Sequence, residues 1–196
     1  MNPKNELKSI IESGRIPNSL LFQGPVGSGK LRSAIDFANS VLRVDNEPGS
    51  NIDNKMSHPD LHVVFPIPKS DKKTENSCDF YINSWRSLVL ENNYQIDIRG
   101  WVDKLDTKKQ PQIGIQTVSS LSKKLSLSSF AAGYKVVLFW MADRLNEEAS
   151  NKLLKLVEEP GKKTIFLFII EKNKFVFSLC FDERLFLILR INFWIS

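Results

Sequence analysis

Apolar residues recur along this chain in two alternating rhythms. Ser19 to Phe22 is a short apolar run, and after a glycine-rich stretch Leu31, Ala34, Ile35, Ala38, Val41 and Leu42 follow at helical spacing within Lys30 to Val44. Ile115, Val118, Leu121 and Leu125 make a second helical stripe between Ile113 and Leu127. Tyr134 to Trp140 is almost unbroken apolar, as expected of a strand buried on both faces of a parallel sheet, and Thr164 to Ile170 repeats the pattern. Between those two strands Asn146 is suited to cap a helix. Glu147 and Glu148 stand in its first turn, where the helix dipole favours anions. Ala149, Leu153 and Val157 face inward until Pro160-Gly161 stops it. Strands alternating with helices predict an α/β layered fold with a parallel central sheet.

Two regions depart from this pattern. Residues 45–111 read as an insertion-rich segment. Pro48-Gly49-Ser50-Asn51 predicts a turn, Leu61 to Phe65 a strand ended by prolines, and Lys69 to Ser77 a polar, mobile stretch. Ser84 to Leu90 and Ile98 to Leu105 are expected to be short helices carrying Trp85 and Trp101. Residues 174–196 form an atypical tail with Phe175, Phe177, Phe181, Phe186 and Phe193, no glycine, no proline and no clear period. The tail is expected to be frameshifted or truncated, against the plainer reading of one more helix or strand. The remaining domain, 1–173, is the layered one.

The glycine-rich stretch is GPVGSGKL, residues 24–31. Gly24, Gly29 and Lys30 satisfy G-x-x-x-x-G-K, and the stretch stands between a strand and a helix as a phosphate loop must. Backbone N–H groups from Gly27, Ser28, Gly29 and Lys30 would line the concavity, and Lys30 would reach the β- and γ-phosphates. Leu31, however, stands where the magnesium-binding hydroxyl belongs. Hydrolysis also needs an acid at the end of a second strand, and VVLFWMADRL places Trp140 and Met141 there. Asp143 lies beyond that strand end and reads as part of the turn. The paired loss argues against ATPase chemistry. It leaves a vestigial or weak nucleotide cradle of Gly24, Gly27, Ser28, Gly29 and Lys30, with no catalytic residue, no metal and no required cofactor. Weak ATP or ADP binding without magnesium is the expectation.

Composition changes little in this picture. The chain of 196 residues can bury a sizeable core; 42% hydrophobic and 25% charged residues are ordinary for a globular protein. The net charge of +5 is spread without a dense basic run, so it supports at most salt-sensitive, sequence-independent contact with nucleic acid. Cys78 and Cys180 are too few for a disulfide framework or a four-ligand zinc site. His58 and His62 stand four apart, yet Pro59 and the strand pattern make a helical metal pair improbable. The N-terminus has no secretory h-region, and no stretch approaches the roughly 20 apolar residues of a membrane span. A cytoplasmic location is expected.

Several stretches together resemble one family. GRIPNSLLFQGPVGSGK (14–30), HPDLHVVFPI (58–67), KLSLSS (124–129), YKVVLFWMADRLNEEASNKLLKLVEEP (134–160) and TIFLFIIEKN (164–173) are similar to the delta-prime subunits of the bacterial DNA polymerase III clamp loader, within the AAA+ ATPase-like superfamily. HPDLHVVFPI and the tryptophan-bearing insertion look like the Bacteroidetes-type version. The resemblance implies a three-layer P-loop NTPase domain in a ring that uses ATP to place the sliding clamp on primed DNA. The partners it implies are the motor and delta subunits directly, and the clamp and DNA through the complex. It implies a rigid, non-hydrolysing role, within a holoenzyme whose nucleotidyltransferase chemistry lies elsewhere. Three family features are not expected here: the four-cysteine zinc module that many relatives carry, the Ser-Arg-Cys motif after the Thr164–Ile170 strand, and the lid and collar domains. Ser178-Leu179-Cys180 has leucine at the critical place. Two other functions compete: an active P-loop ATPase in which Asp143 or Glu147 substitutes for the lost acids, and a non-functional truncated remnant.

Overall fold

A computed structural model describes residues 3–44, 56–72, 75–127, 129, 133–171 and 187–190. Five strands form one sheet in the order β2-β3-β4-β1-β5, every neighbouring pair parallel. In chain order the elements are α1 (Pro3–Ser13), β1 (Ser19–Gln23), α2 (Lys30–Val44), β2 (Leu61–Val64), α3 (Cys78–Glu91) and α4 (Ile98–Leu105). They continue with α5 (Ile115–Leu125), β3 (Lys135–Trp140), α6 (Glu147–Glu158), β4 (Thr164–Ile170) and β5 (Leu187–Arg190).

The sheet is parallel because its strands are joined by helical crossovers, and its centre is apolar because both faces are covered. Every residue of β3 and β4 is buried. The chain steps from β2 to β3 to β4 in one direction but from β1 to β2 in the other. Right-handed crossovers therefore put α5 and α6 together on one face, where they pack against each other, and α2 on the opposite face with α1 beside it. The three-layer α/β arrangement read from the sequence is the arrangement observed.

Local chemistry sets the element ends. Asn146 caps α6 by accepting the Ala149 N–H at 2.9 Å, and Asp97 caps α4 through the Gly100 N–H at 2.8 Å. The expected stripe of α2, from Leu31 to Leu42, is buried along its whole length. Two expectations need correction, and one element was not anticipated. α3 begins at Cys78 rather than Ser84, because Ser77 accepts the Asp79 N–H and caps it. α1 is a helix that charge-based reading overlooked; Leu7 is buried, and Ile10 and Ile11 pack on the core. The described part of Lys69 to Ser77 is a hydrogen-bonded turn. Asn76 accepts from the Ser70 N–H at 3.0 Å and donates to its carbonyl at 2.6 Å. The predicted turn at Pro48–Asn51 and the Ser178-Leu179-Cys180 stretch lie outside the described residues. Within the tail, Leu187–Arg190 pairs with Leu20–Gln23 of β1.

An aromatic cluster fixes the insertion to the sheet. Phe65 stacks on Trp85 at 5.3 Å and meets Trp101 edge-on at 5.4 Å, while Trp85 reaches Trp140 of β3 at 6.1 Å. The Trp101 indole N–H donates to the Pro66 carbonyl at 2.7 Å. Among the described residues, no helix is long and apolar enough to cross a membrane.

Candidate nucleotide site

The glycine-rich loop, residues 24–30, lies where an open parallel sheet places ligands, outside the carboxyl ends of its strands. β1 ends at Gln23, and the Gly24 N–H donates to the Ile170 carbonyl of β4 at 3.4 Å. The chain then turns sharply, with the Ser28 N–H on the Pro25 carbonyl at 3.3 Å. Gly27 and Gly29 have φ of +79° and +78°, a conformation that excludes most side chains. At Gly27 an added Cβ would meet nothing within 4 Å, so backbone conformation alone demands glycine there. The Ser33 N–H to Gly29 carbonyl bond of 2.9 Å opens α2.

Lys30 is only 7% exposed, and its ammonium donates to the Pro25 carbonyl of its own loop at 2.8 Å. Burial lowers its pKa; Glu171 and Asp143 pull the other way through space. The Ser28 hydroxyl is buried, with no hydrogen-bond partner among the described residues. Leu31 points into the core at 4% exposure.

The expected acid positions are filled by core. Trp140 and Met141 are each 2% exposed, and Trp140 packs against Trp85 of the insertion. Met141 adopts a left-handed backbone at φ +57° and leads into a short 3₁₀ turn, Ala142–Arg144, which carries Asp143. Asp143 is thus in a turn, as its position past the strand suggested, yet within electrostatic reach of Lys30. Glu147 is exposed in the first turn of α6.

Glu171 escaped sequence reasoning. It follows the last residue of β4, which is paired with β1, and so emerges beside Gly24. Burial raises its pKa, with Lys30 and Arg144 opposing and Asp143 and Asp97 adding to the rise. The available signal was positional: a carboxylate at the end of a buried strand adjacent to the loop strand. Arg32, on the first turn of α2, bonds Asp36 at 3.1 Å, and its guanidinium lies 4.6 Å from the centre of the Tyr94 ring.

The other candidates stand apart from this site. The His58 imidazole accepts the Asp60 N–H at 3.1 Å, and His62 lies on β2 beside a cavity of about 140 Å³ shared with Asp79, Arg86 and Lys124. Among the described residues no group of His, Cys, Asp and Glu could hold a metal. Cys78 is buried, and its thiol donates to the Phe65 carbonyl at 3.4 Å, with a pKa pushed up to about 12 by desolvation.

Comparisons with known proteins bear on the family and the fold. The chain is 25% identical over 173 residues to DNA polymerase III subunit delta' of Bacillus subtilis, covering 85% of the chain and 40% of that relative. An 80-residue stretch is 39% identical to DNA polymerase III subunit delta' of Yersinia pestis, covering 41% of the chain and 22% of the relative. The chain thus spans less than half the length of these curated relatives. A solved DNA polymerase III gamma subunit-related protein from Thermotoga maritima shares the fold. Its TM-score is 0.54 at 14% identity, over 97% of this chain and 47% of that one. The family model described as DNA polymerase III, delta subunit, matches residues 2–178, and the chain belongs to that family.

Proposed function

We propose that the chain serves as a subunit of the DNA polymerase III clamp loader that does not hydrolyse ATP and acts as a scaffold through protein contacts. The observation that carries this reading is the burial of Trp140 and Met141 where a magnesium-holding acid is needed. Leu31, buried one position after Lys30, removes the hydroxyl ligand as well. Its partners in this reading are the motor and delta subunits, with the sliding clamp and primed DNA engaged through the complex, in the cytoplasm. Nucleotide is not required; the cradle of Gly24, Gly27, Ser28, Gly29 and Lys30 retains at most weak, magnesium-independent affinity for ATP or ADP.

A second reading, an active ATPase, draws on one observation, the electrostatic reach of Asp143 to Lys30. ATP turnover by the purified chain separates the two. The scaffold reading expects none above background and co-purification with the motor and delta subunits. Turnover abolished by Lys30→Ala would overturn it in favour of the ATPase.

A further inference from the structure

The cavity of about 140 Å³ beside β2 is bounded by that strand, α3 and α5, and its wall carries His62, Asp79, Arg86 and Lys124 with the hydroxyls of Ser77 and Ser120. Such a volume holds several waters, room enough for a tetrahedral oxyanion. Its charges do not balance from within. Lys124 donates to both Asp79 oxygens, at 2.5 and 2.6 Å, so that carboxylate is already matched. Arg86 donates from a terminal nitrogen to the Met56 carbonyl at 2.6 Å, but its Nε is buried with no hydrogen-bond partner among the described residues, none of whose carboxylates pairs with it. A bound anion is one explanation for a guanidinium left in that state. Burial chiefly, then Lys124 and Lys135, lower the pKa of His62, while Asp60 and Asp79 oppose them. Lys135 itself donates to the Leu125 and Leu127 carbonyls, and Cys78 keeps its proton on the Phe65 carbonyl. An imidazole held neutral beside cations takes up a proton readily once an anion arrives.

We propose that this cavity binds a phosphate-type oxyanion, gripped by the Arg86 guanidinium and the Lys124 ammonium, with Ser77 and Ser120 as further donors and His62 protonating as the ion enters. Arg86 supplies directed donors, and Lys124 a point charge that Asp79 and the ion share. Asp79 thereby competes with the ligand and keeps its affinity moderate. Protonation of His62 and binding reinforce each other. Affinity therefore rises as pH falls through the His62 pKa of the bound form, and levels off below that of the free form. Two strands, β3 and β4, separate β2 from β1 and its glycine-rich loop, so the site stands whether or not the chain hydrolyses ATP.

Proton NMR titration of the His58 and His62 imidazoles in the full chain tests the assignment, with sulfate compared against chloride at constant ionic strength. Sulfate keeps its charge throughout. It is expected to raise the His62 pKa by about one unit, which corresponds to roughly tenfold tighter binding to the protonated form, and to leave His58 unmoved. Arg86→Gln is expected to abolish the shift. Asp79→Asn, which releases Lys124 to the ion, is expected to tighten sulfate binding, and it carries the test if Arg86→Gln fails to fold. Inorganic phosphate and a short single-stranded oligonucleotide, titrated separately, distinguish the source of the ligand: a His62 shift with phosphate alone assigns a free ion, and a shift with both assigns a phosphate group of nucleic acid. An equal His62 pKa in the two salts overturns the proposal, as does undiminished sulfate binding by folded Arg86→Gln or unimproved binding by Asp79→Asn.

Discussion

The two sides of β3's carboxyl end solve opposite problems. On the β4 and β1 side lies a polar loop where Lys30 donates to the Pro25 carbonyl, and where the Ser28 hydroxyl is buried with no hydrogen-bond partner among the described residues. On the β2 side Phe65, Trp85, Trp101 and Trp140 form a dry aromatic cluster. The cluster gains stability from apolar burial, which needs no partner of matched charge. The loop keeps a buried cation, which costs stability unless something offsets it. Trp140 belongs to the dry side although a hydrolysing site would need an acid near it. The insertion thus packs core against the end of β3, where Trp140 is buried.

The contrast can be broken first at its apolar side. Trp101→Ala is expected to cost about 3–5 kcal/mol, since it removes a fully buried ring and strands the Pro66 carbonyl, measured by urea unfolding. At Trp85 the indole N–H has no partner among the described residues, so Trp85→Phe should cost less than Trp101→Phe in the same assay. Leu31→Thr comes next: restoring the hydroxyl should lower stability by about 2–4 kcal/mol and yield no ATP turnover, because Trp140 and Met141 still fill the acid positions. Turnover in that variant would show that the loop alone had limited the chemistry.

A pH titration sharpens the comparison more gently. Between about pH 9 and 12 the folded Cys78 thiol keeps its proton while the unfolded one loses it. The unfolded state then binds fewer protons, and stability should fall as pH rises through that window. Cys78→Ala should flatten the alkaline limb. His62, whose pKa is lowered chiefly by burial, works at the other end. Its neutral folded form loses ground as pH falls below about 6.5, where the unfolded imidazole takes up a proton. The smallest effect is expected from Ser28→Ala, which removes a buried hydroxyl that has no partner among the described residues. It should leave stability unchanged or raise it by up to about 1 kcal/mol, checked by the same unfolding curves.

Much of the fold was legible because its signals are local. α2, α4 and β4 appear with the bounds their apolar spacing predicts, since helix and strand periods are written in neighbouring residues. α1 was missed although Leu7, Ile10 and Ile11 carry helical spacing, because Lys4, Glu6, Lys8 and Glu12 drew attention to its charge. α3 was started late because the capping Ser77 closes a polar stretch that reads as loop. β5 was passed over for another reason: a further strand was the plainer reading of the tail, but nothing local favoured it, because Leu187–Arg190 is a strand by virtue of pairing with β1, far away in sequence.

The sequence by itself determined the loop, the missing hydroxyl at Leu31 and the apolar pair at the end of β3, because each is a matter of residue type at a fixed local spacing. Only the tertiary structure decided that Trp140 faces Trp85 and that Glu171 emerges beside the loop carrying Lys30. Those relations depend on which strands lie side by side and on where the insertion packs. Strand order is set by long-range burial and crossover handedness, to which the period of any one segment is blind.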